Sequence, residues 1–164
     1  MIGTFDFLEE RELEAIYKDG AIYVSSRIST DRDLLENLIH ETSHSLEASL
    51  GHFIYGDFKL AREFVAKRTT LERTLIANGH NTGGLNFEEG EYNEEFDVYL
   101  YKEIGYPLLR ELTTGLFHTP YAVTSLREYW ASGFEDYFLN SREDLKDVSP
   151  QLFIKIEGVI TYDD

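Results

Sequence analysis

The sequence predicts a mainly α-helical protein with a minimal β-sheet, an α+β arrangement in a single domain spanning residues 1–164. Three observations carry this expectation. The chain of 164 residues is long enough for one core and too short for two independent ones. Apolar residues recur at helical spacing along most of its length, between residues suited to capping helices. β-Branched and aromatic residues dominate only one stretch, Ala21 to Ile28.

Residues 4 to 18 are acidic, and Phe7, Leu8, Leu13, Ile16 and Tyr17 are spaced roughly as on a helix, so a first helix is expected there, although Thr4 to Phe7 equally suits the start of a strand. Asp19-Gly20 is a turn signal, and the strand expected over 21–28 follows it. Thr30 stands three residues before Asp33 as a cap, and Leu34, Leu35, Leu38, Ile39, Thr42 and Leu46 predict a helix over 31–49 that stops before Gly51. A second long helix is expected over 57–77 on Leu60, Ala61, Phe64, Val65, Leu71 and Leu75, closed by Asn78-Gly79. Residues 80 to 87 read as a loop. The acidic run Glu88 to Asp97 reads as a solvated helix start leading into Phe96, Val98, Leu100, Tyr101 and Ile104, with Gly105 as the stop. Between Thr113 and Thr124 the composition turns to Thr, Gly, Pro and His, as in a partly buried loop. Ser125 caps a helix carrying Leu126, Tyr129, Trp130, Phe134, Tyr137 and Phe138, an aromatic stripe expected in the core. Ser149-Pro150 opens a last short helix. The expected total is five or six helices and one clear strand.

Fifteen Lys and Arg against 31 Asp and Glu give a net charge of −16, a field that repels nucleic-acid phosphates and anionic membrane surfaces. Neither is an expected partner. The N-terminus has neither a basic start nor a long apolar run, so no signal peptide is read and cytoplasmic synthesis is expected. With no cysteine, thiol chemistry, disulfides and cysteine-ligated metals are excluded, so any metal must be held by His, Asp or Glu.

His40-Glu41-Thr42-Ser43-His44 is an H-E-x-x-H motif in the middle of the helix expected over 31–49. Two histidines four residues apart share one helical face, so both imidazoles reach a common Zn²⁺. Glu41 is then placed to take a proton from a metal-activated water and pass it to a leaving amine. A three-ligand site needs one more residue. A third histidine at the metzincin position is excluded, because the residue six after His44 is Leu50 and the expected glycine is Glu47. Two carboxylates remain. Glu63 gives H-E-x-x-H-x18-E, the spacing of thermolysin-like aminopeptidases, but without their surrounding residues, and Lys67 offers it a helical ion pair. Glu128 is the other candidate, although Ser125-x-x-Glu128 is also a capping box that would occupy the same oxygens.

Around Glu128 the segment Tyr121-Ala-Val-Thr-Ser-Leu-Arg-Glu128-Tyr129-Trp130-Ala131-Ser132-Gly133-Phe134 resembles the gluzincin family of anthrax lethal factor and the Pro-Pro endopeptidases. Those enzymes take the third zinc ligand from the Glu of an E-[FW]-[FW]-A-E-A-F-like helix and stabilise the oxyanion with a Tyr seven residues earlier. The resemblance covers residues 35–48 and 118–140. It implies a zincin-like catalytic domain in which His40, His44 and Glu128 hold one Zn²⁺ and Tyr121 stabilises the oxyanion. Ser132 stands where the family has a second Glu, and Gly133 where it has Ala, so the carboxylate that steadies a ligand is left unassigned. Glu47 is a candidate to orient a ligand imidazole, and His118, three residues before Tyr121, to steady an oxyanion or to join that supporting shell. The segments Ile39-His40-Glu41-x-x-His44-x-x-Glu47 and Tyr106-Pro107-Leu108-Leu109-Arg110 also resemble, more loosely, short metallopeptidase-like proteins of tailed bacteriophages.

The expected function is zinc-dependent hydrolysis of peptide bonds by an endopeptidase, with a protein or peptide as substrate. The alternative is a zincin-fold structural or partner-binding protein, for instance a phage virion component, with little turnover. The strand over 21–28 would hold an extended substrate along its edge beside the metal helix. For His52 and His80 the sequence offers no functional role.

Overall fold

The computed structural model describes residues 14–162. Strand β1 (Ala15–Lys18) pairs antiparallel with β2 (Ala21–Val24), Ala15 opposite Val24 and Lys18 opposite Ala21. The connecting Asp19 and Gly20 both have positive φ, 52° and 78°, the two-residue turn whose twist matches a hairpin. Residues 15–18, expected at the end of a helix, are therefore a strand, because this turn demands a partner on its N-terminal side. The rest of that expected helix, including the alternative strand start at Thr4 to Phe7, lies outside the described residues. β2 is shorter than expected, the pairing reaching only to Ser25, whose N–H donates to Glu14 O at 2.7 Å.

Seven helices follow. Helix α1 (Asp31–Tyr55) begins as expected, the Thr30 hydroxyl accepting from Asp33 N at 3.1 Å. It runs straight through Gly51, because its last turn is held by packing: Ile54 is fully buried, and Lys155 Nζ donates to Phe53 O at 2.6 Å. A helical glycine costs only about 1 kcal/mol, which such burial outweighs. Helix α2 (Lys59–Ala77) closes at Asn78-Gly79. Helix α3 (Glu94–Val98) is capped by the Asn93 side chain, so it starts later than the acidic run suggested, and it continues as a wider π turn (Tyr99–Ile104) up to Gly105. Helices α4 (Tyr106–Thr113) and α6 (Arg142–Val148) were not expected from the sequence. Between them lies α5 (Leu126–Leu139), with Ser125 Oγ accepting from Glu128 N, and α7 (Pro150–Ile160) closes the fold.

The core gathers Leu60, Phe64, Leu71 and Leu75 of α2, Tyr129 and Trp130 of α5, and Leu152 and Ile156 of α7, all fully buried. Two buried cations fasten loops onto this core. Lys67 Nζ donates to Leu116 O and Val148 O, each at 2.6 Å, while Arg68 stacks 3.8 Å from the Phe96 ring centroid and donates to Glu89 O and Asn86 O. Helix α1 lies across α5, and Trp130 Nε1–H donates to Ser43 O at 3.2 Å. That contact sets the first turn of α5 opposite the H-E-x-x-H turns. Among the described residues no helix is long and apolar enough to cross a membrane.

Candidate metal centre

His40 and His44 project from successive turns of α1, their ring centroids 5.0 Å apart. Glu128, in the first turn of α5, reaches between them. Its Oε2 lies 3.0 Å from His40 Nε2 and its Oε1 3.6 Å from His44 Nε2. Only half of the expected capping box forms: Ser125 caps the Glu128 N–H, and the Glu128 carboxylate turns to the imidazoles. Among the described residues, His40, His44 and Glu128 form the group able to hold a metal ion, with one donor atom from each lying within 4.8 Å of the others. Two donors about 2.1 Å from a tetrahedral ion stand about 3.4 Å apart, so the two measured separations bracket what such a site needs.

The electrostatics favour a cation at the same point. Burial works against a charged His40, but hydrogen bonds to Glu128 and Glu135 and the charges of Glu128 and Glu41 outweigh it and hold its pKa at about 10. Burial likewise opposes a charge on His44, and Glu128 and Glu47 raise its pKa in spite of it. Burial pushes the Glu128 carboxyl up, but the two imidazoles overcome this and bring it down to about 2. The carboxylates that favour a charged imidazole here would also favour a divalent ion, which has to displace that proton to bind.

Each imidazole is oriented by a second carboxylate on its other nitrogen. Glu47 Oε2 lies 3.2 Å from His44 Nδ1, as the sequence allowed. Glu47 is itself held by Arg127, whose Nε and Nη2 donate to it at 2.8 and 2.5 Å, and by the Tyr55 hydroxyl. Glu135 Oε2 lies 3.5 Å from His40 Nδ1. Neither Glu135 nor Arg127 was singled out from the sequence. A signal for Glu135 was present: it stands seven residues after Glu128, two turns along the same face of α5.

Glu41 Oε2 accepts a hydrogen bond from Tyr17 N at 2.5 Å, an amide on the edge of β1 away from β2. Both strands contact α1, and it is β1, rather than the expected β2, that presents its free edge to Glu41. Together with Tyr17, residues His40, Glu41, His44, Tyr121 and Glu128 line a cleft of about 300 Å³. Tyr121 opens the short 3₁₀ turn Tyr121–Val123, steadied by Thr124 Oγ1–H donating to Tyr121 O at 2.8 Å. Burial, then the charge of Glu128, pushes its phenol above the ordinary value, so the group stays a hydrogen-bond donor at neutral pH.

Two sequence candidates are placed elsewhere. Glu63 is not brought to the imidazoles: Oε1 accepts from Tyr129 OH at 2.9 Å and Leu152 N at 3.1 Å, and Oε2 from Gln151 N at 2.8 Å, so it caps the start of α7. His118 supports no ligand. Its Nδ1 meets Asp136 Oδ2 at 2.9 Å and its Nε2 meets Ser149 Oγ at 3.0 Å, tying α5 to the start of α7. This Ser–His–Asp line has the connectivity of a nucleophilic triad, but Ser149 is fully buried and beyond the reach of a substrate. No protein-family model matches the chain, and neither curated proteins nor solved structures gave a match.

Proposed function

We propose that the chain is a zinc-dependent endopeptidase of the gluzincin type. Its ligands would be His40, His44 and Glu128, with Glu41 and Tyr121 as catalytic groups. The observation that carries this reading is the meeting of one carboxylate with both imidazoles of an H-E-x-x-H helix from 88 residues along the chain, at 3.0 Å from His40. Two nitrogens and one oxygen suit zinc in a site that keeps a position open for chemistry. Zinc held by His40, His44 and Glu128 would supply Lewis acidity towards a water molecule and a peptide carbonyl. Glu41 accepts the proton of the attacking water and delivers it to the departing amine. The Tyr17 amide fixes the direction of that carboxylate. Tyr121, still protonated at neutral pH, donates to the oxyanion as the carbonyl carbon becomes tetrahedral. Glu135 and Glu47 keep the two imidazoles turned towards the shared point.

The test combines metal content with one variant. Elemental analysis should find one zinc per chain, and Glu41→Gln should keep zinc and fold while lowering cleavage of a peptide library by about 10²–10⁴-fold. Absence of bound zinc, or undiminished cleavage by Glu41→Gln, would refute the assignment. A zinc-loaded protein that cuts no peptide would instead fit the partner-binding alternative.

A further inference from the structure

Next to the cleft, on the C-terminal side of His44, α1, the start of α5 and the loop at Gly90-Glu91 border a second, open cavity of about 540 Å³, a size usual for small-ligand pockets. Its lining includes Tyr17, His44, Ala48, Gly51, Tyr55 and Leu126. Tyr17, His44 and Arg127 border both spaces, so the cavity opens directly beside the metal ligands. Two carboxylates border it: Glu47 is already engaged by His44, Arg127 and Tyr55, and Glu91 is exposed to solvent. What the cavity offers an occupant is therefore chiefly carbon.

Gly51 adds an independent observation. It lies inside α1, where glycine costs about 0.5–1 kcal/mol relative to alanine, yet a Cβ built on it would meet no atom within 4 Å. Neither the backbone conformation nor a close neighbour requires glycine here. What its missing side chain does is leave the cavity open.

Resting on the hydrolase reading, we infer that this cavity receives a large apolar side chain, aromatic or long aliphatic, of a substrate residue flanking the bond to be cut. Burial of such a side chain contributes discrimination of about tenfold or more over alanine. The probes are N-acetyl-phenylalaninamide and N-acetyl-alaninamide, titrated into metal-free and zinc-loaded protein and followed through the backbone amide resonances of Ala48, Gly51 and Leu126. The expected result is at least about tenfold tighter binding of the phenylalanine amide, and the same preference in cleavage of phenylalanine over alanine peptides. In Gly51→Leu the preference should fall towards unity, while circular dichroism and zinc content match the parent. Ala48→Leu, three residues earlier on the same wall, gives the same readout should Gly51→Leu fail to fold. Equal binding of the two amides, or a preference that survives in a folded variant, overturns the assignment. Preferential binding by a zinc-loaded protein that cleaves no peptide overturns the hydrolase reading and leaves the cavity as an apolar side-chain site.

Discussion

At Asp136 burial pushes the carboxyl up, but hydrogen bonds from His118 and Asn140 outweigh it and hold the group below the ordinary carboxylate range. A folded-state value below the unfolded one, about 3.9, contributes stability that is present above that pH and is lost as pH falls through the folded value. Asp136→Asn should therefore cost about 1–3 kcal/mol at neutral pH, and the gap to the parent should close below about pH 4. Urea midpoints for both proteins at several pH values check this, and a gap that is constant from neutral to acid would show that the charge is not what counts. Individual residues differed in how openly the sequence displayed them. His40, Glu41 and His44 share one helix, where spacing alone fixes relative position. Choosing between Glu63 and Glu128 needed the direction in which each helix faces, which a residue count does not contain. Arg127 was hidden for a related reason, since its partner Glu47 lies 80 positions away.

Gly133 shows how a helix is fitted to its neighbour. A Cβ there would lie 2.2 Å from Leu152 Cδ2 and 2.7 Å from Leu152 Cγ, so α5 and α7 approach too closely for an alanine at this position. Gly133→Ala should destabilise by about 1–3 kcal/mol despite its better helix propensity. Gly51→Ala, with open space around its Cβ, should stabilise by about 0.5–1 kcal/mol. Denaturant unfolding of the pair checks both signs, and stabilisation by Gly133→Ala would show that Leu152 gives way freely. The long helices were legible because several turns of apolar residues repeat between clear caps. Helices α4 and α6, of 8 and 7 residues, hold too few turns to establish a period. Ile16 and Tyr17 fit either period, so only the Asp19-Gly20 turn, with its demand for a paired strand, separates β1 from a helix end.

For the molecule as a whole, a net charge of −16 on 164 residues means self-repulsion in the compact state. Raising salt from 0.01 to 0.15 M shortens the screening length from about 30 to about 8 Å. The melting temperature should rise by a few degrees over that range; scanning calorimetry at fixed pH measures it, and a flat or falling trend would mean that the acidic groups are already balanced locally. The chain's single tryptophan, Trp130, is fully buried two positions beyond Glu128, with its indole N–H on the carbonyl of Ser43, between His40 and His44. Its fluorescence consequently arises from one place, the junction of the two helices that carry His40, His44 and Glu128. Emission from that indole is thus a built-in optical gauge of whether an added ion has pulled this junction tighter, readable without a dye or an assay substrate.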